Sequence, residues 1–382
     1  MTFAFDPGAP GFVEDPYPTY ARMRTEAPVH WSERLGAWMV TRYEDVDHIF
    51  RDPTFSSDRT RATKFKGGPP TMRSIQSDPP EYVEMRGAIT ATLTTSVIEA
   101  IRPRVTQLVQ ELLDGLADRD EFDLIADFAY PLPITVIAEL FGVPEGDREQ
   151  FQEWSSGMAR AMDRFYSQAG TGLRDMAVYC ASLARARQET PGDDLISALL
   201  SIEGLTFQEV VSLCSTLIFA GHETTTNLIG NGVLALLRSP DQLARMRAIG
   251  HDVVDVRIAI EEMLRFDSPA QMLSRVVATD VELGGEHLKA GDALLALIGA
   301  GNHDPSVFAD AEDLDVDRHP NPHLGFGVGL HYCVGAALSR REAQVAIPAL
   351  LERFPRMRLA GAPRWRDTIV LRGLESLPIS VG

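Results

Sequence analysis

The chain has 382 residues, 45% hydrophobic and 24% charged, with a formal net charge of −18, the balance of a globular protein with enough apolar residues for a large core. The acidic excess argues against nucleic acid as a main partner, because no cationic surplus is present to displace phosphate counterions. Three cysteines without regular spacing exclude a disulfide scaffold and point to a reducing compartment. No apolar run reaches the length of a membrane span. The first residues lack the basic start and apolar stretch of a secretory signal, so the expected location is the cytoplasm.

The first third mixes short helices with a strand candidate at Ala37-Trp38-Met39-Val40-Thr41. Residues 55–78 read as a loop rich in Arg, Lys, Gly and Pro without a clear period. Helical periodicity then dominates from Glu81 to Arg265, with segments predicted at 101–117, 131–141, 147–162, 173–188 and 193–201. The longest predicted helix runs over about 206–238, roughly 50 Å at 1.5 Å per residue. Thr206 followed by Glu209 offers a capping box at its start. Its middle, Leu217-Ile218-Phe219-Ala220-Gly221-His222-Glu223-Thr224-Thr225-Thr226-Asn227, sets glycine and three threonines into an apolar helix. A mid-helix glycine costs about 1 kcal/mol relative to alanine, and threonine hydroxyls bond back to the preceding turn and bend it. Polar groups therefore interrupt a core helix where its geometry is already weak.

A further helix begins near Val253 and carries Glu262-Met263-Leu264-Arg265, whose i,i+3 spacing lets the acid and the base pair. Residues 272–299 alternate in the manner of strands around Val281-Glu282-Leu283-Gly284-Gly285, and short strand-like runs fill Met357 to Gly382. No repeat, linker or low-complexity segment divides the chain. The expectation is one mainly α domain over 1–382 with small β elements at its margins.

Cys333 stands in Phe326-Gly327-Val328-Gly329-Leu330-His331-Tyr332-Cys333-Val334-Gly335. A structural zinc needs about four ligands and a disulfide needs a second thiol, and neither is near. A thiolate offered to a metal in a flat macrocycle requires the chain beside it to come close, which glycine permits. The run continues into a helix start whose positive end is expected to favour the anion and lower the thiol pKa. Cys180 and Cys214, in apolar helical stretches, read as buried and inert.

This run resembles the heme-binding signature of the cytochromes P450, Phe-Gly-x-Gly-x-His-x-Cys-x-Gly, with every fixed position filled. Ala220-Gly221-His222-Glu223-Thr224-Thr225 resembles that family's oxygen-binding motif, and Glu262-Met263-Leu264-Arg265 its ExxR pair, in the family's order. Asp78-Pro79-Pro80-Glu81-Tyr82-Val83-Glu84-Met85-Arg86 resembles the bacterial Asp-Pro-Pro-Glu-His-x-x-x-Arg helix, with Tyr82 in place of the usual histidine. The resemblance covers nearly the whole chain. It implies the cytochrome P450 fold: a single helical domain with a long central helix at 206–238, a heme loop at 326–335, a substrate-contact loop at 55–78 and small marginal β-sheets.

It also implies heme b (iron protoporphyrin IX) with Cys333 as the metal ligand and Ala220, Phe326, Gly327 and Gly335 around it. Tyr82, Arg86, Arg275 and His331 would hold the propionates. Glu223 and Thr224 would be the acid and the alcohol that deliver protons to dioxygen, and Glu262, Arg265 and Arg318 a buried triad bracing the heme loop. Substrate contacts would come from Phe65, Met72, Phe219, Met272, Leu273 and Leu374, largely apolar and suited to a hydrophobic small molecule of secondary-metabolite type. The implied reaction is monooxygenation, hydroxylation or epoxidation with O2 and electrons from an external ferredoxin and its reductase, and no membrane partner. Phenol coupling, nitration, peroxide-driven oxidation and heme-based sensing are the alternatives. The Glu223–Thr224 pair argues against obligatory peroxide use and has no purpose in a sensor. Arg340 and Arg341 would form a basic patch for an acidic partner if the fold brings them to Arg102 and Arg104.

Overall fold

Thr206 starts the helix on which the rest of the molecule is assembled. Its hydroxyl accepts from Glu209 N at 3.3 Å while Glu209 Oε2 accepts from Thr206 N at 2.8 Å, so two otherwise orphaned amides are satisfied reciprocally. The central helix that follows spans Phe207–Arg238, and nearly every residue from Val210 to Leu236 is buried. A helix covered on most of its faces lies inside the core, and its buried polar residues need partners there. Helices Pro131–Leu140, Gly172–Glu189, Val253–Phe266 and Ala336–Arg353 pack around it. Glycines set the closeness of that packing: a Cβ at Gly221 would lie 2.4 Å from Ile137, and one at Gly232 would lie 2.8 Å from Met263. Gly221 is there for room rather than for bending. The structure, a computed structural model, describes residues 5–63, 74–148, 150, 151, 153, 154 and 172–382.

The sheets lie at the margins. Among the described residues, strands β1 (Val29–Ser32), β2 (Ala37–Val40), β3 (Phe55–Ser56), β4 (Glu121–Asp123), β5 (Leu273–Val277), β6 (Val281–Leu283), β7 (Glu286–Leu288), β8 (Ala293–Ala296), β9 (Arg358–Leu359), β10 (Arg364–Trp365), β11 (Leu374–Ser376) and β12 (Pro378–Ser380) form four small sheets. The largest has the order β1-β2-β8-β5-β3, with β2 and β8 parallel. β4-β12-β9 form a second, and β6-β7 and β10-β11 are hairpins. The expected strands at 37–41, within 272–299 and after Met357 are present. The expected loop at 55–78 begins with β3, which pairs with β5; two residues carry no period to detect.

The helix expected at 101–117 starts earlier, at Thr95, where the Thr94 hydroxyl caps it and Pro103 sits inside it. Pro240–Ile249 forms a helix that periodicity did not single out. The predicted helix at 147–162 and the substrate-loop residues Lys64, Phe65, Lys66 and Met72 fall wholly or partly outside the described residues. Among the described residues no helix is long and apolar enough to cross a membrane. The fold is mainly helical, as the motifs implied.

Candidate active site

Two glycines shape the cysteine loop. Gly327 and Gly329 have φ of 66° and 72°, and a Cβ at Gly329 would sit 2.8 Å from the Phe50 carbonyl oxygen. Both conformation and space demand glycine there. Cys333 N donates to Phe326 O at 2.9 Å, and Gly335 is the N-cap of the helix Ala336–Arg353. Cys333 presents open surface, whereas Cys180 and Cys214 are 0% exposed. Burial pushes the Cys180 thiol up to about 11 and Cys214 well above its ordinary value. The expected lowering of the Cys333 pKa is not found. Desolvation by the surrounding loop raises it and outweighs the Gly335 and Ala336 amides, Arg86 and Arg340. The helix end aims donors at the sulfur, but a charge in that setting also needs a cation upon it.

The loop is braced from below. Arg340 lies 4.4 Å above the Phe326 ring, donates to the Tyr332 hydroxyl at 2.8 Å and holds Glu261 at 2.6 and 2.7 Å. His323 adds a 2.8 Å bond to Glu261. Sequence reasoning missed Glu261; its signal was only a second acid beside the ExxR glutamate. Glu262, Arg265 and Arg318 do come together. Arg265, 0% exposed, donates to Glu262 at 2.7 and 2.8 Å, and Arg318 Nε donates at 3.1 Å. Arg265 spends further donors on the carbonyls of Asn302, Ala311 and Asp313. A buried ion cluster is tolerable only when satisfied in this way.

On one side of the loop lies a group of cations. Arg275 is 8% exposed, and desolvation, together with nearby Arg59, pushes its guanidinium down to about 10. Its Nη1 donates to the Ser274 carbonyl at 2.9 Å, and among the described residues no carboxylate stands within ion-pair reach of it. Burial, Arg275 and Arg86 drive the His331 imidazole down to about 4. Tyr82 packs on His331 with ring centroids 3.9 Å apart. Its hydroxyl donates to Leu330 O at 2.9 Å and accepts from Arg86 Nη1 at 3.0 Å, so its proton is already engaged. A buried Arg275 beside a neutral histidine, with no carboxylate paired to it among the described residues, calls for an external anion.

The central helix packs on the helix that leaves Cys333. Ala220 is exposed and Thr224, one turn on, is partly exposed, although Ile218, Phe219, His222 and Glu223 around them are buried. The Thr224 hydroxyl donates to Ala220 O at 3.0 Å. Thr225 donates to Ser339 Oγ at 3.0 Å, which ties this stretch to the helix that leaves Cys333. The exposed Ala220 and part-exposed Thr224 are thus carried to the same part of the molecule as the open thiol. Glu223, between them, is sealed: it is 2% exposed and ion-paired with Arg366, with His222 Nε2 at 3.6 Å. Burial drives His222 down to about 4, so it is neutral at pH 7.

The family model for cytochrome P450 matches residues 150–357. Cytochrome P450 107B1 of Saccharopolyspora erythraea is 40% identical over 395 residues, covering 97% of this chain and 96% of its own. This chain belongs to the cytochrome P450 family. The cytochrome P450 monooxygenase PikC of Streptomyces venezuelae is 38% identical over 393 residues, covering 98% of this chain and 93% of its own. The solved structure of PksS, from Bacillus subtilis 168, matches this P450 with a TM-score of 0.92 at 35% identity, over 99% of this chain and 100% of that one. The protein is a P450 monooxygenase of the bacterial secondary-metabolism type, and the family's cofactor is heme. The residues fit it: an open thiol with backbone donors behind it, and buried Arg275 with Arg86 awaiting carboxylates.

The remaining expected contacts are distributed unevenly. Phe219, Met272 and Leu374 are 7%, 1% and 1% exposed. Met272 packs among Phe5, Tyr20, Met39 and Leu297, and Leu374 lies against the central helix near Gly230. Leu273, on β5, is partly exposed. The four arginines do not make one free patch. Arg102 and Arg341 share a groove with His251, but Arg104 pairs with Glu139 and Arg340 with Glu261.

Proposed function

We propose that this P450 binds heme b through Cys333 and hydroxylates or epoxidises an apolar small molecule in the cytoplasm, with electrons from an external ferredoxin and its reductase. The observation that carries this reading is the exposure of Ala220 and Thr224 on the central helix, tied through Thr225 and Ser339 to the helix of an open Cys333. Heme, when bound, supplies the chemistry that activates dioxygen; the side chains do the rest.

Cys333 Sγ would hold the iron as a thiolate, with the Gly335 and Ala336 amides directed at it. Arg275, Arg86 and His331 would hold its carboxylates, while Tyr82 acts through Arg86 and His331. Ala220 keeps the helix surface low, leaving volume for substrate. Thr224 Oγ1 can exchange its bond to Ala220 O for one into the cleft, and Glu223, next in the chain, is the acid that resupplies the proton. Glu262, Arg265 and Arg318 hold the loop and take no part in proton transfer. PksS is the cytochrome P450 of the bacillaene polyketide synthase, which supports a polyketide-like molecule as one apolar substrate class.

Thr224→Ala tests the proton role. Once a substrate is found by its spin-state shift, product formed per NAD(P)H consumed should fall by roughly tenfold, part of the roughly 10²–10⁴-fold that a positioned acid–base group contributes. Coupling retained at the wild-type level would remove Thr224 from the mechanism.

A further inference from the structure

Arg366 lies outside every motif of the chain, in the turn between β10 and β11, 143 residues from the acid it meets. Its backbone is fixed independently of that acid. Arg366 N donates to Gly373 O at 3.1 Å, closing the hairpin. Arg372, at the other limb, lies 3.7 Å above the Trp365 ring and donates to Asp267 at 2.6 Å and to Glu14 O at 2.9 Å. The hairpin is seated on the central helix: Asn231 Nδ2 donates to Arg372 O at 3.1 Å, and a Cβ at Gly373 would lie 1.9 Å from Asn227 Oδ1. The guanidinium is therefore delivered to Glu223 by a separately anchored element.

Its side chain is 26% exposed, while that of Glu223 is 2% exposed, so Arg366 bridges a sealed carboxylate to solvent. It engages Oε1, whereas Oε2 has no hydrogen-bond partner among the described residues and has the neutral His222 at 3.6 Å. A buried carboxylate without a counter-charge takes up a proton and becomes neutral. We propose that Arg366 is the positioning residue of Glu223, holding it ionised by one oxygen and leaving the other for proton exchange. This rests on the proton-delivery reading above. When Glu223 gives up its proton, the carboxylate returns to Arg366; when it takes one from solvent, the pair loosens.

The test uses the holoenzyme and four variants: Arg366→Gln, Arg366→Lys, Glu223→Gln and the double variant Arg366→Gln/Glu223→Gln. Infrared spectra of the resting protein should show a new protonated-carboxyl band in Arg366→Gln that is missing in the double variant and in Arg366→Lys. Product per NAD(P)H should fall roughly 3- to 10-fold in Arg366→Gln, part of an acid–base contribution, and recover in Arg366→Lys, with the substrate-induced spin shift unchanged in midpoint. An Arg366→Gln spectrum without the band, or coupling equal to wild type, would overturn the proposal. Absence of oxygenated product from the wild type would instead sink the underlying reading, and the infrared result would still decide the role of Arg366.

Discussion

Glu261 shows what single residues contribute around the thiol. Its burial acts to raise its pKa, but the bonds from Arg340 and His323 more than offset this and hold it at about 2. A carboxylate depressed from 4.5 on folding adds stability that is fully present above pH 4.5 and is lost as pH falls toward 2. Glu261→Gln should therefore lower stability at pH 7 by about 2 kcal/mol, allowing for partial exposure. It should also flatten the decline in stability between pH 4.5 and 2, read by urea unfolding across that range; an unchanged acid limb would show that Glu261 is not strongly held. The motif residues were legible because each signature is a short run with fixed spacing. Glu261 with Arg340, and Glu223 with Arg366, were not, since each pair forms only when distant helices and hairpins dock. The Cys333 pKa was misjudged for the same reason: the helix end can be read from sequence, but the desolvating loop around the sulfur cannot.

The central helix carries the next scale. Its span was readable to within a residue, because Thr206 and Glu209 form the expected cap and the apolar run is long. The meaning of Gly221 was not, because glycine as a weak point and glycine as a close contact look alike in sequence. Gly221→Ala separates them. Helix propensity alone would stabilise by about 1 kcal/mol, but the new Cβ would lie 2.4 Å from the buried Ile137, and overpacking costs about 1–3 kcal/mol. The expected outcome is a net loss of about 1 kcal/mol in denaturant unfolding; a gain would mean that Ile137 gives way freely. A second element-scale signal went unread: Glu223, Asn227 and Asn231, spaced by four, are 2%, 1% and 1% exposed and all face the C-terminal hairpin. Polar residues repeating at that spacing on an apolar helix mark where a polar partner docks.

Across the whole molecule the helices form one scaffold that ties the helix of Ala220 and Thr224 to the helix of the open thiol Cys333, and the marginal sheets supply Arg275 and Arg366. The helical class was legible from periodicity, whereas the sheet order β1-β2-β8-β5-β3 joins strands far apart in sequence and had no local signal. The central claim is that this assembly exists to hold heme by Cys333. Carbon monoxide binding to the reduced protein tests it most directly: the wild type should give the red-shifted Soret band of a thiolate-ligated heme, and Cys333→Ser should lose it while retaining the helical fold by circular dichroism. An unchanged red-shifted band in Cys333→Ser would contradict the account.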